Sequence, residues 1–125
     1  MRIIILLSFL LISSIKTNAQ SMFELNQQAS EQYDEADREL NITYQALKKA
    51  YNDHPYFLKK LLTAQRLWIQ YRDALVEMRF PSENPEMDYG SMYRLCEMTY
   101  LTELTNKRAQ ELRDYFNIDC GGPVE

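Results

Sequence analysis

Polar side chains at helical spacing are the first candidates for chemistry in this chain. Asp37 and Asn41, Gln65 and Arg72, and Thr105 and Arg108 recur at intervals of four, seven and three residues, and Asp73 follows Arg72 directly. Such intervals put each pair on one face of a helix. Asp37, Arg72 and Asp73 would then form a carboxylate and guanidinium site for binding or acid–base work. The same residues have a structural reading, in which groups from three helices meet in a hydrogen-bonded network that fixes helix register. The second reading is favoured, because the sequence supplies no partner for chemistry. His54 is the single histidine and stands before Pro55 with no Cys or Ser motif beside it, which marks a helix cap or a solvated turn residue. No CxxC or His-rich metal pattern, Gly-rich phosphate loop or glycine elbow around a serine is present. The expectation is a protein that is not an enzyme and needs neither a metal nor a cofactor.

These side chains must be positioned by helices. Leu25, Ala29, Tyr33, Ala36, Leu40, Tyr44, Leu47 and Tyr51 recur at steps of three or four and draw one apolar stripe. The stripe spans about seven turns, with Ser21-Met22-Phe23-Glu24 as its capping box. It ends at Asn52-Asp53-His54-Pro55, where Pro55 suits the first position of a new helix. Leu58, Leu61, Ala64, Trp68, Tyr71, Leu75 and Met78 continue at the same steps in a second helix. Phe80 to Gly90 holds two prolines and a glycine and reads as a loop. A third helix then runs from about Ser91 to Tyr115. The short first connection makes the first two helices antiparallel neighbours. The fold class expected is all-α, a small antiparallel three-helix bundle.

The N-terminus speaks to export. Arg2 precedes an apolar run from Ile3 to Ile15 that is too short to cross a bilayer, and Lys16-Thr17-Asn18-Ala19 offers a small-residue cleavage site. Residues 1–19 therefore read as a cleaved signal peptide, 20–118 as one helical domain and 119–125 as a flexible tail. No cysteine stands at the cleavage site to take a lipid, so no stable membrane anchor is expected and the product is periplasmic or secreted. The chain carries 14 basic and 18 acidic residues, for a net charge of −4. Loss of residues 1–19 would remove Arg2 and Lys16 and no acid, deepening the charge to −6. An acidic surface excludes nucleic acid and favours cationic partners.

Three strings go beyond periodicity: Ala36-Asp37-Arg38-Glu39-Leu40-Asn41 with Tyr44, then Ala64-Gln65-Arg66-Leu67-Trp68-Ile69-Gln70-Tyr71-Arg72-Asp73-Ala74, then Leu104-Thr105-Asn106-Lys107-Arg108 with Leu112. Together they resemble the N-terminal domain of the LprI-type lysozyme inhibitors, from about Phe23 to Phe116. The resemblance implies an exported helical domain with a protein partner, which for some members is lysozyme, a strongly basic enzyme. An envelope interaction or structural module with another partner and no effect on lysozyme is the alternative. Many members carry half-cystines where this chain has Gln28 and Val76, and their joint loss fits two positions that bond to each other across helices one and two.

If lysozyme is the partner, the segment holding Glu83, Glu86, Asp88 and Tyr89 is the candidate contact, being acidic and stiffened by proline. Nine tyrosines exceed what a three-helix core hides, and Tyr56, Tyr89 and Tyr93 fall near loops, where such rings anchor interfaces. Cys96 and Cys120 are the two cysteines, and a continuous third helix would hold them roughly 30 Å apart. A disulfide needs Cα atoms within about 7 Å. Cys96 is therefore expected as a buried free thiol, with Cys120 free or joined to a second chain.

Overall fold

The structure is a computed structural model that describes the backbone of residues 2–124 and the side chains of residues 21–124. Helix α1 spans Arg2–Ala50, α2 Pro55–Arg79, α3 Pro85–Tyr89 and α4 Tyr93–Asp114, with single 3-10 turns at Gly90–Met92 and Tyr115–Asn117. The three long helices make an all-α bundle, and the described residues contain no strand. The assignment of residues 1–19 to a signal peptide falls on side chains outside those described. From Ser21 onward α1 is uninterrupted, so the box at Ser21 to Glu24 lies inside a helix and could cap only a chain that begins near residue 20.

The closest helix pair is α1 with α4. Tyr51 at the end of α1 donates through its hydroxyl to the carbonyl of Tyr115, just past α4, at 3.0 Å, so the two helices run parallel. Small side chains let them approach. Ala29, Ala36 and Thr43 of α1 and Thr105 and Ala109 of α4 are all buried, and no large side chain at these positions wedges the backbones apart. Leu40, Leu47, Leu61, Ala109 and Leu112 form the centre of the core, with Tyr44, Tyr51, Phe57 and Trp68 packed around it. Burying a leucine completely, as at Leu47, is worth roughly 1.5–3 kcal/mol.

Helix α2 returns antiparallel to both, as the turn at Asn52-Asp53 requires. Phe57 meets Tyr51 edge to face at 4.8 Å at one end, and Arg72 reaches Tyr33 at the other. Pro55 occupies the first turn of α2, where a missing N–H costs nothing. The burial of α2 is thinner than its stripe suggests. Leu61 is its one buried residue, while Tyr71 and Met78, read from the sequence as core, are 62% and 70% exposed. The cause is a drift of phase. The stripe from Leu58 to Met78 takes six steps over twenty residues, so it slips back by about 27° per step around a 3.6-residue helix. By its last turn it has left the core side.

The segment from Phe80 to Gly90 is not wholly a loop. Asn84 precedes Pro85, its carbonyl accepts from the amides of Met87 and Asp88 at 3.0 Å each, and the chain makes the short helix α3. The Ser82 hydroxyl accepts the Asn84 amide at 2.9 Å and donates to the Asp88 carboxylate, tying the approach to the helix it precedes. Gly90 closes α3 with φ 68°, a backbone setting that other residues rarely adopt. Pro85 thus starts a helix here, and the third long helix begins at Tyr93 rather than near Ser91.

One further expectation changes. Cys96 and Cys120 are both free, but Cys96 is exposed on α4 and not buried.

Candidate functional site

The polar residues singled out in the sequence separate into three groups. Arg72 donates from Nε and Nη2 to Oδ1 of Asp73 at 2.9 and 2.7 Å, and its Nη1 lies 3.5 Å from the Tyr33 hydroxyl. Arg108 donates from Nε to Oε1 of Gln65 at 3.1 Å and from Nη1 to Glu111 at 3.1 Å. Trp68 stands between the two arginines, its ring centre 5.4 Å from the Arg72 guanidinium and 6.0 Å from that of Arg108. The third group is local to α1, where the Asn41 amide donates to the carbonyl and the carboxylate of Asp37 at 2.9 and 3.1 Å. Asp37 makes no ion pair with Arg72 among the described residues. Thr105 is fully buried, and its hydroxyl has no partner among the described residues.

Arg72 and Asp73 open onto the largest polar concavity at this end of the bundle, about 660 Å³ in volume. Tyr33 from α1, Val76 and Glu77 from α2, Phe80 to Ser82 beyond it, Pro85 of α3, and Tyr93, Glu97 and Leu101 from α4 complete its walls. The Tyr93 hydroxyl donates to Oε1 of Glu97 at 2.9 Å across one helical turn. Burial first, then that bond to a carboxylate, holds the Tyr93 hydroxyl protonated above the usual tyrosine range. Burial also raises Tyr33, opposed by the Arg72 charge and reinforced by nearby aspartates. Both rings are therefore neutral hydroxyl donors at physiological pH.

Phe80, Tyr89 and Tyr93 form an aromatic triangle at the rim, with ring centres 5.6, 5.2 and 6.3 Å apart. The acidic segment proposed as a contact lies beside it. Glu83 and Glu86 are exposed and make no bond among the described residues, while Asp88 is held by Ser82 and Tyr89 is 42% exposed. A smaller hollow of about 310 Å³, lined by Glu83, Asn84, Pro85, Glu86, Met87 and Tyr93, shares Pro85 and Tyr93 with the larger one. Of the other tyrosines near loops, Tyr56 is 72% exposed at the opposite end, with the Lys60 ammonium 5.3 Å from its ring centre.

The sequence marks Arg72, Asp73 and the acidic segment, but nothing in it joins Tyr33, Glu77, Phe80 and Glu97 to them as one site. The Tyr93 and Glu97 pair, four apart, was a legible signal. Glu77 carried none. His54 sits far from this hollow, and its side chain does not cap α2; Nδ1 lies 3.1 Å from the carbonyl of Val124, so the tail folds against the turn between α1 and α2. No group of three His, Cys, Asp or Glu side chains among the described residues is arranged to hold a metal ion.

Fold and site define a small helical-bundle domain, one end of which combines carboxylates, a committed arginine and aromatic rings. The chain belongs to the lysozyme inhibitor LprI family, whose sequence profile matches residues 13–112. An uncharacterized protein of Rhizobium meliloti (strain 1021) is 36% identical over 129 aligned positions, covering 86% of this chain and 90% of the relative. No solved structure matches the chain. Among the described residues no helix is long and apolar enough to cross a membrane.

Proposed function

We propose that this protein is exported to the periplasm or beyond, is freed of residues 1–19, and acts there by binding a basic lysozyme and inhibiting it. The observation that carries the reading is the family match over residues 13–112. Charge supports it, because a chain with 18 acids against 14 bases is drawn to a cationic protein by its long-range field. Placement supports it too: Glu83, Glu86, Asp88 and Tyr89 crowd one end of the bundle on and beside a short, internally bonded helix. A segment whose backbone is fixed before contact loses less entropy on binding than a mobile loop.

On this reading Asp37, Asn41, Gln65, Arg72, Asp73, Thr105 and Arg108 have structural roles, and no residue a catalytic one. Inhibition would follow from occlusion of the enzyme's cleft. The test is lysis of bacterial cell walls by lysozyme with and without the purified protein, together with direct titration of binding. Inhibition at stoichiometric protein supports the proposal. Normal lysis with no measurable binding overturns it and leaves an envelope interaction module with another partner.

A further inference from the structure

The hollow between α2, α3 and α4 has a surplus of acceptors. Asp73 spends Oδ1 on both bonds from Arg72, and Oδ2 has no partner among the described residues. Glu77 is exposed and forms no bond or ion pair there. Glu97 spends Oε1 on Tyr93, and its buried Oε2 has no hydrogen-bond donor, with Arg94 Nη1 standing off at 3.6 Å. The only cation in the wall, Arg72, has two of its donor nitrogens committed to Asp73 and a third beside the Tyr33 hydroxyl.

Charge and shape select the occupant. An anion would meet three carboxylates, and an apolar side chain would bury them without partners, a cost that grows as water leaves. A guanidinium or ammonium group supplies the missing donors, and the rings of Tyr33, Phe80 and Tyr93 line the route with faces that attract cations. A volume of about 660 Å³ takes the long stem of a lysine or arginine along with its head. Arg94, whose side chain is 57% exposed, can swing out to solvent when a closer donor reaches Glu97.

We infer that this hollow receives one basic side chain of the partner protein, with Asp73, Glu77 and Glu97 as its counter-charges and the acidic segment around α3 as the surrounding contact. The inference rests on the binding reading above, and it locates the centre of that interface. Glu77→Gln with Glu97→Gln keeps shape, and keeps an acceptor for Tyr93, while removing two charges. Glu24→Gln with Glu103→Gln removes two charges from exposed positions outside the hollow and controls for the general field.

Affinity for lysozyme falls about tenfold or more in the first double variant, chiefly through faster dissociation. It stays within about twofold in the control at physiological salt. Equal affinities for the two double variants overturn the inference and leave lysozyme binding intact. A second measurement decides the hollow even where lysozyme is not bound, which is the failure of the broader reading. In NMR titrations, N-acetyl-argininamide shifts the signals of Tyr33, Val76, Tyr93 and Leu101 in the parent protein and not in the Glu77, Glu97 variant. No shift, or the same shift with N-acetyl-norleucinamide, overturns it.

Discussion

The contact of α1 with α4 and the packing of α2 are both written as apolar residues three and four apart, yet they bury very different amounts. In the first, Ala29, Ala36, Leu40, Thr43 and Leu47 meet Met98, Thr105, Ala109 and Leu112, all buried. In the second, Leu61 alone is buried, and Leu67, Tyr71 and Met78 stand more than half exposed. Two physical differences separate them. The α1 stripe from Leu25 to Tyr51 advances by about 11° per step and stays on one side, whereas that of α2 slips by more than twice as much in the other direction. Alanine and threonine also let α1 and α4 close up, while Trp68, Phe57 and Arg72 hold α2 at the distance of their own length. Packing at the backbone makes the frame; packing through long side chains leaves hollows. The candidate site sits where α2 stands off.

The largest effect expected from this contrast is at Leu47. Its replacement by Ala should cost about 2–5 kcal/mol, because a fully buried leucine leaves a cavity that tightly packed helices cannot close. The matched change Leu67→Ala on α2 should stay within about 0.5 kcal/mol. Urea titration of both variants measures the difference, and equal losses would show that α2 carries as much of the core as α1.

Arg72→Met comes next. Its partner Asp73 is 55% exposed, so the pair is well screened and much of what Arg72 contributes comes from lying against Trp68. A loss of about 1–2 kcal/mol is expected, below that of a broken buried pair. Binding by the folded fraction should persist, since the substitution leaves the acids of the hollow in place; a stable variant that no longer binds would move Arg72 into the interface. In the tight contact the expected sign reverses. Thr105→Val removes a buried hydroxyl without a partner while keeping its shape, and should raise stability by about 1 kcal/mol, read as a later urea midpoint.

The smallest effect concerns pH. The Tyr33 hydroxyl titrates above its ordinary 10.0 in the folded protein, chiefly through burial. An acid raised on folding favours the folded state while both states are protonated, and that contribution is lost as pH rises past the unfolded value toward the folded one. Stability should therefore fall as pH rises through the ordinary tyrosine range near 10 and beyond it, and Tyr33→Phe should fall less steeply. Identical slopes would mean that the junction between α1 and α2 is open enough to hydrate the ring.

Residue spacing alone determined the helical class, the ends of α2 at Pro55 and near Phe80, the all-helical three-part order and the family strings around Trp68 and Arg72. These are local properties, decided by periodicity, by proline geometry and by neighbours within a turn. The short helix at Pro85 was legible in the same way, since Asn84, Pro85 and Gly90 stand at its start and stop positions, although two prolines first suggested a loop. Tertiary structure decided the rest. Which face of α2 is covered depends on phase accumulated over many turns, so Tyr71 and Met78 matched the stripe and still ended in solvent. Whether Cys96 is buried depends on where α4 lies against α1 and α2, and it faces outward. The polar strings looked alike in sequence, but Asp37 bonds within its own helix while Arg72 and Arg108 flank Trp68, because a side chain takes the nearest satisfying partner and spacing does not say which helix supplies it. The hollow itself joins Tyr33, Glu77 and Glu97 from three helices, and no local pattern brings together residues so far apart in the chain.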